Sequence, residues 1–92
     1  MEDRSHFRKG YISREIRGGT DPEYEFCASP HEALDWPSRQ IAELIVDYLN
    51  RGVMIDSSLG GKYLCREFHI EEIAPEQFAI CCEAPFIFDT VQ

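Results

Sequence analysis

No stretch of this 92-residue chain approaches the roughly 18 consecutive apolar residues of a membrane-spanning helix. Its first nine residues, Met1 to Lys9, lack the apolar segment of a secretory signal. Both absences predict a soluble chain at work in the cytoplasm, with its four cysteines held as reduced thiols. No Cys-x-x-Cys pair exists, which removes the commonest zinc spacing. Gly18-Gly19 and Gly60-Gly61 are not followed by Lys and Ser or Thr, and neither builds a glycine triplet before a helix. Both pairs therefore read as turn glycines rather than phosphate cradles. There is no solenoid-type repeat and no low-complexity segment. Basic residues are scarce: nine Lys and Arg stand against 17 Asp and Glu, a net charge of -8. Phosphate contacts need clustered Lys and Arg, so this balance disfavours generic nucleic-acid binding. It favours basic partners, including the nucleic-acid-binding surfaces of other proteins.

The charge is uneven. Residues 1–19 hold five basic side chains against three acidic ones, a net of +2, and residues 20–92 hold four against fourteen, a net of -10. The length predicts one domain over residues 1–92, frayed at 1–5 and 89–92. A domain of this size buries a modest share of its surface, so a partner or a homodimer could add stability.

The stretch from Lys62 to Phe88 carries the clearest fold signal. Two runs of mixed apolar and polar residues flank Ala74, Pro75 and Glu76, the signature of a hairpin. Placing Ile70 opposite Ile80 sets Phe68 against Cys82, Arg66 against Ala84 and Leu64 against Phe86. One face then holds Leu64, Phe68, Ile70, Phe78, Ile80, Cys82 and Phe86, a core wall. The other holds Tyr63, Cys65, Glu67, His69 and Glu71, with Ala79, Cys81, Glu83 and Ile87 across from them. The loop runs from Ile73 to Gln77, with Pro75 suited to the second position of a type I turn.

Upstream, residues 7–16 read as a first strand, Arg17 to Pro22 as a turn, and residues 24–28 as a second strand with Tyr24 and Phe26 inward. Ser29-Pro30-His31-Glu32 has the pattern of a capping box, and a helix is expected to begin there. Pro37 then forces a kink or a fresh start, with Asp35 or Trp36 as the new cap. Ile41, Leu44, Ile45, Tyr48 and Leu49 follow helical spacing, and Gly52 suits the left-handed position that ends the helix. Residues 53–55 read as a short strand or connection, and Asp56 to Gly61 as a loop. The predicted fold is two-layer α+β, in hairpin–helix–hairpin order. Its four- or five-stranded, mostly antiparallel sheet carries one main helix on one face.

Candidate chemistry is thin. Cys65, His69 and Cys81 share a face in this register, but Cys65 and His69 would lie about 13 Å apart along a strand, too far for one metal ion. A Cys81 nucleophile with His69 as base lacks an orienting group and a pocket. Glu67 and Glu83 would stand directly opposite each other without a cleft to separate their acidities. No catalytic residue and no cofactor is therefore expected. Like charges facing across a sheet destabilise it, by up to about 1 kcal/mol. A fold tolerates them where the face is wet or where a basic partner covers it. Glu67, Glu71, Glu72 and Glu83 thus form a candidate acidic contact surface. Trp36 and Tyr63 are candidate anchors, and Tyr11, Tyr24 and Tyr48 supply further amphipathic side chains. A competing expectation comes from Arg8, Lys9, Tyr11, Arg14 and Arg17, where basic residues interleave with an aromatic as in surfaces that stack single-stranded RNA. The plainer reading of that stretch is a charge-protected edge strand.

In size, acidity, cysteine usage and hairpin–helix–hairpin order, the chain resembles the small phage-encoded inhibitors typified by anti-CRISPR proteins. The resemblance covers the whole chain and rests on those features rather than on a motif. It implies a non-enzymatic protein that occupies a nucleic-acid groove or subunit surface of a host complex, with the acidic sheet residues as the contact. Nuclease-neutralising immunity proteins share the same outward character.

Overall fold

The structure, a computed structural model, describes residues 7–16, 23–56 and 61–86. In chain order its elements are β1 (Arg8–Ile16), β2 (Glu23–Cys27), a 3-10 turn at Pro30–Glu32, α1 (Arg39–Leu49), β3 (Val53–Asp56), β4 (Lys62–Cys65), β5 (His69–Ala74) and β6 (Gln77–Ala84). The fold is α+β. A four-stranded antiparallel sheet in the order β2-β1-β6-β5 stands beside a two-stranded β3–β4 hairpin, and α1 packs against β5 and β6. The expected turn at 17–22, most of the 56–61 loop, both termini, Arg17 and Ile87 lie outside the described residues.

Both outer hairpins share one sheet, joined through β1 and β6. Strand β1 is therefore interior and not the protected edge that its charges suggested. Ile70 pairs with Ile80 and His69 with Cys81, in the register that the alternation of side chains dictates. The turn is tighter than a five-residue loop. Ala74 pairs with Gln77, leaving Pro75 and Glu76 at the corners. Glu76 takes φ +62°, and positive φ after a proline corner is type II geometry rather than type I.

Three expectations fail for tertiary reasons. First, Lys62–Cys65 does not lengthen the β5 side of the sheet. It pairs with β3, with Met54 opposite Leu64 and Val53 opposite Cys65. The chain breaks between the two strands at residues 66–68, where Asn50 grips the backbone of Phe68 from both sides. Its Oδ1 accepts from the Phe68 N–H at 2.7 Å and its Nδ2 donates to the Phe68 carbonyl at 3.2 Å. Leu64 accordingly does not face Phe86, nor Arg66 Ala84, and Glu67 has left the ladder opposite Glu83. On the other edge of β6, Lys9 of β1 pairs with Glu83.

Second, Pro30–Glu32 winds only one 3-10 turn, with Ser29 accepting from the His31 N–H at 3.2 Å. The α-helix starts after Pro37 with Ser38 at its cap, not Asp35 or Trp36. Trp36 is used otherwise. Its backbone N–H donates to the Phe78 carbonyl at 2.9 Å and its carbonyl accepts from the Phe78 N–H at 3.3 Å, so the chain crosses the end of the sheet as a one-residue bridge.

Third, the buried face of α1 is not the one inferred. Ala42 and Leu49 are buried, and Ile45 and Val46 pack beside them on the core. Ile41, Leu44 and Tyr48 point outward. Gly52 follows the helix with φ +133°, a backbone conformation that side chains rarely adopt.

The core lies between the sheet and the helix–hairpin layer. Ile12, Ala42, Leu49, Ile55, Cys65, Phe68, Ile80, Cys82, Ala84 and Phe86 are its buried members, with Tyr24, Phe26, Ile70 and Phe78 among the side chains packed against them. Phe26 and Phe86 pack with their rings tilted, centroids 4.9 Å apart. Leu64, expected in this wall, is 43% exposed instead.

Candidate functional site

The sheet face away from the helix is the surface that the sequence marks as acidic. Register places Lys9, Tyr11, Ala79, Cys81, Glu83, His69 and Glu71 on it. The middle strand contributes two small side chains, Ala79 and Cys81, both fully buried. Over them, side chains of β1 reach across to β5. Lys9 Nζ lies 2.6 Å from Glu71 Oε1, and the Tyr11 hydroxyl donates to Glu71 Oε2 at 2.5 Å. Lys9 also sits over the Tyr11 ring, 5.5 Å from its centroid. With Cys27, Ala33 and Ile73 around them, Tyr11, Ala79 and Cys81 make a second, smaller apolar cluster beneath this bridge.

Two competing expectations thus consume one another. The acid Glu71 is neutralised by the base Lys9, and Tyr11, 6% exposed, has no free ring face for a nucleotide base. Arg14 stands 3.9 Å from Glu25. Glu67 and Glu83 remain exposed, and Glu72 is exposed on β5 in the pair with Phe78, on the opposite face from Glu71. Trp36 and Tyr63 are half-buried and pack on the core, so they are lids more than free anchors. Tyr63 also meets Phe7 edge to face at 5.4 Å.

The Lys9–Tyr11–Glu71 contact shifts all three acidities. Hydrogen bonds, first from Lys9 and then from Tyr11, hold the Glu71 carboxyl below its ordinary range. The Glu71 bond raises Lys9 and Tyr11. A depressed carboxylate stabilises the fold above the unfolded value, near 4.3, and that contribution is lost as pH falls through the lowered folded value. Both partners are more than one-third exposed, so solvent screening holds the pair to at most about 1 kcal/mol. Glu71→Gln is expected to lower the urea midpoint at neutral pH and to shrink the difference between neutral and acidic midpoints. An unchanged pH dependence would show that the bridge contributes nothing.

His69 and Cys81 do meet, with Nε2 and Sγ 3.2 Å apart. Burial pushes the Cys81 thiol up to about 11, against the lowering effect of Lys9. The sulfur is both protonated and sealed, a poor starting point for nucleophilic attack. Cys65 does not share this face. It lies in the main core, in the same buried cluster as Cys82. Among the described residues no group of three or more His, Cys, Asp and Glu side chains is placed to hold a metal ion, and no helix is long and apolar enough to cross a membrane.

The surface that sequence reasoning missed is on the other side. Leu44 is 69% exposed and Met54 56%, and Tyr48, Ile41 and Leu64 are also open to solvent. Ile41, Leu44 and Tyr48 lie along one stripe of α1, three and four residues apart. Met54 and Leu64 are directly paired across β3 and β4. Leu64 lies over Gly52, its Cδ1 3.0 Å from where a Cβ would stand, so the pair begins beside the C-terminal end of α1. Arg51 stacks its guanidinium 5.8 Å from the Tyr48 ring centroid. Glu43 and Asp47 are exposed on the same helix. The available signal was the width of the apolar arc: Ile41, Ala42, Leu44, Ile45, Val46, Tyr48 and Leu49 cover more of the helix than one sheet face can take. Comparison with protein-family models, curated proteins and solved structures finds no match for the chain.

Proposed function

We propose that this chain is a non-enzymatic binding protein that inhibits or modulates a partner with a basic, nucleic-acid-handling surface. The observation that carries the reading is the uncovered apolar surface of α1 and the β3–β4 pair, centred on Leu44 and Met54 and set in a chain of net charge -8. Isolated exposed leucines need no explanation, but a helix stripe beside a cross-strand pair is the apolar centre that protein interfaces use. Tyr48 under Arg51 joins two of the residue types enriched at interface hot spots. The surplus of acid selects a basic partner and speeds its approach. The likeness to anti-CRISPR and immunity proteins supports the same class. The acidic sheet face becomes the lesser contact, because Glu71 is already paired within the fold.

Direct RNA binding through Arg8, Lys9, Tyr11, Arg14 and Arg17 is disfavoured by the burial of Tyr11 and the pairing of Lys9. The experiment is capture of partners on the tagged chain at low and high salt, with and without nuclease. The proposal expects a basic protein complex, retained after nuclease treatment and weakened by salt. Recovery of RNA, with proteins lost on nuclease treatment, would replace it with the RNA-binding reading.

A further inference from the structure

Strand β5 is an edge of the four-stranded sheet and pairs with β6 on one side alone. Among the described residues, none of its backbone N–H or carbonyl groups is bonded to backbone on the other side. An open edge is a template for one more strand, and folds guard it with lysine, proline, a bulge or a covering segment. On β5 the ladder is regular from His69 to Glu72 and shifts only before Ala74. Proline enters after the strand, at Pro75. Residues 67–84 hold five glutamates and no lysine or arginine. Glu71 is neutralised by Lys9 of β1. Glu72 is exposed, and its carboxylate accepts a long bond, 3.4 Å, from the Glu76 N–H.

Negative charge is thus the main guard on this edge, and it discriminates between occupants. The fullest antiparallel overlap of β5 with its own copy sets Glu71 opposite Glu72, and a slip of one residue either way sets Glu71 or Glu72 opposite itself. Like charges directly opposite destabilise a strand pair, whereas opposite charges support it. A second copy is therefore repelled and a basic strand is attracted. We propose that β5 takes an extended, lysine- or arginine-bearing segment of the partner as an added strand. The inference rests on the basic partner of the proposed function, and it gives that partner a contact separate from Leu44 and Met54. Main-chain hydrogen bonds along the open edge supply the affinity, and Glu72 reads the charge of the incoming side chains.

The test titrates the isotope-labelled full chain with a short capped peptide of alternating lysine and threonine, and follows backbone amide shifts and amide exchange. Shifts and slowed exchange are expected at residues 69–74. A peptide with glutamate in place of lysine should bind more weakly. So should a lysine peptide methylated at its backbone nitrogens, which keeps its charge and loses its donors. Glu72→Lys should weaken the lysine peptide by about threefold or more. Shifts confined to other elements, equal binding by the methylated peptide, or no binding at low salt would overturn the inference. Exchange at 69–74 that slows as the chain alone is concentrated would give the edge to a second copy and overturn it as well. Partner capture decides the proposed function separately. Failure to recover a basic protein would remove that reading, whereas the peptide titration reports on the β5 edge whatever is captured.

Discussion

Gly10→Val should lower the stability of the chain by about 3 kcal/mol, read as a fall in the urea midpoint. Gly10 lies in the interior of β1, opposite Cys82. A Cβ built there would stand 2.4 Å from Phe86 Cε2 and 2.7 Å from its Cζ. Real Cβ atoms do not approach so closely, and valine adds two further methyl groups. The Phe86 ring cannot swing away freely, because it is 7% exposed and packs against Phe26. Valine has the higher strand propensity, worth up to about 1 kcal/mol in the opposite direction, so overpacking wins. A double-mutant cycle isolates the cause. Phe86→Leu alone should destabilise, yet it should recover part of the loss in the Gly10→Val background. Additive effects would mean that Gly10 is required for another reason.

Asn50→Leu should cost about 2–4 kcal/mol, because it strands a partly buried backbone N–H and carbonyl at Phe68 together. The 2.7 Å and 3.2 Å bonds to these groups end the β4 direction and start that of β5. Leucine keeps similar bulk, so the loss reports on hydrogen bonds more than on a cavity. Asn50→Asp discriminates further. It retains the acceptor for the Phe68 N–H but sets a carboxylate oxygen against the carbonyl, so destabilisation is expected with that variant too. If both substitutions leave the urea midpoint unchanged, the Asn50 clamp does not hold the linker.

These two residues also mark where sequence reasoning stops. The Ile70–Ile80 register is legible because alternation over two neighbouring runs admits few pairings, and a shift of one residue breaks the apolar wall. The helix is legible from its periodicity. The fate of Lys62–Cys65 is not, since its alternation has the same parity as the strand that follows. No glycine or proline interrupts Arg66, Glu67 and Phe68, and the break is imposed by Asn50 from elsewhere in the chain. Pairing of β1 with β6 joins residues some seventy positions apart, as with Arg8 and Ala84. Local pattern carries no trace of such a choice. Gly10 reads as an ordinary glycine between Lys9 and Tyr11 until Phe86 is known to lie over it.

The candidate site shows the same division. Glu67, Glu71 and Glu83 were visible as acids, but the Lys9–Glu71 bridge depends on Ala79 and Cys81 being small on the strand between them. The apolar arc of α1 was visible in outline. Which half the sheet covers was decided by packing: Ala42, Ile45, Val46 and Leu49 go inward, leaving Ile41, Leu44 and Tyr48 in water.

The most direct test of this account compares two variants for binding to the captured partner. Leu44→Asp/Met54→Asp alters the exposed apolar surface, and Glu67→Lys/Glu83→Lys reverses two exposed acids, Glu83 on the sheet face and Glu67 in the break before β5. All four positions are solvent-exposed, so both variants should fold with stabilities close to the parent. The first variant should lose at least about tenfold in affinity, equal to about 1.4 kcal/mol. The second should bind only slightly more weakly, with reduced salt sensitivity. Full binding by the Leu44→Asp/Met54→Asp variant, with binding abolished by the double charge reversal, would contradict it and return the contact to the acidic face of the sheet.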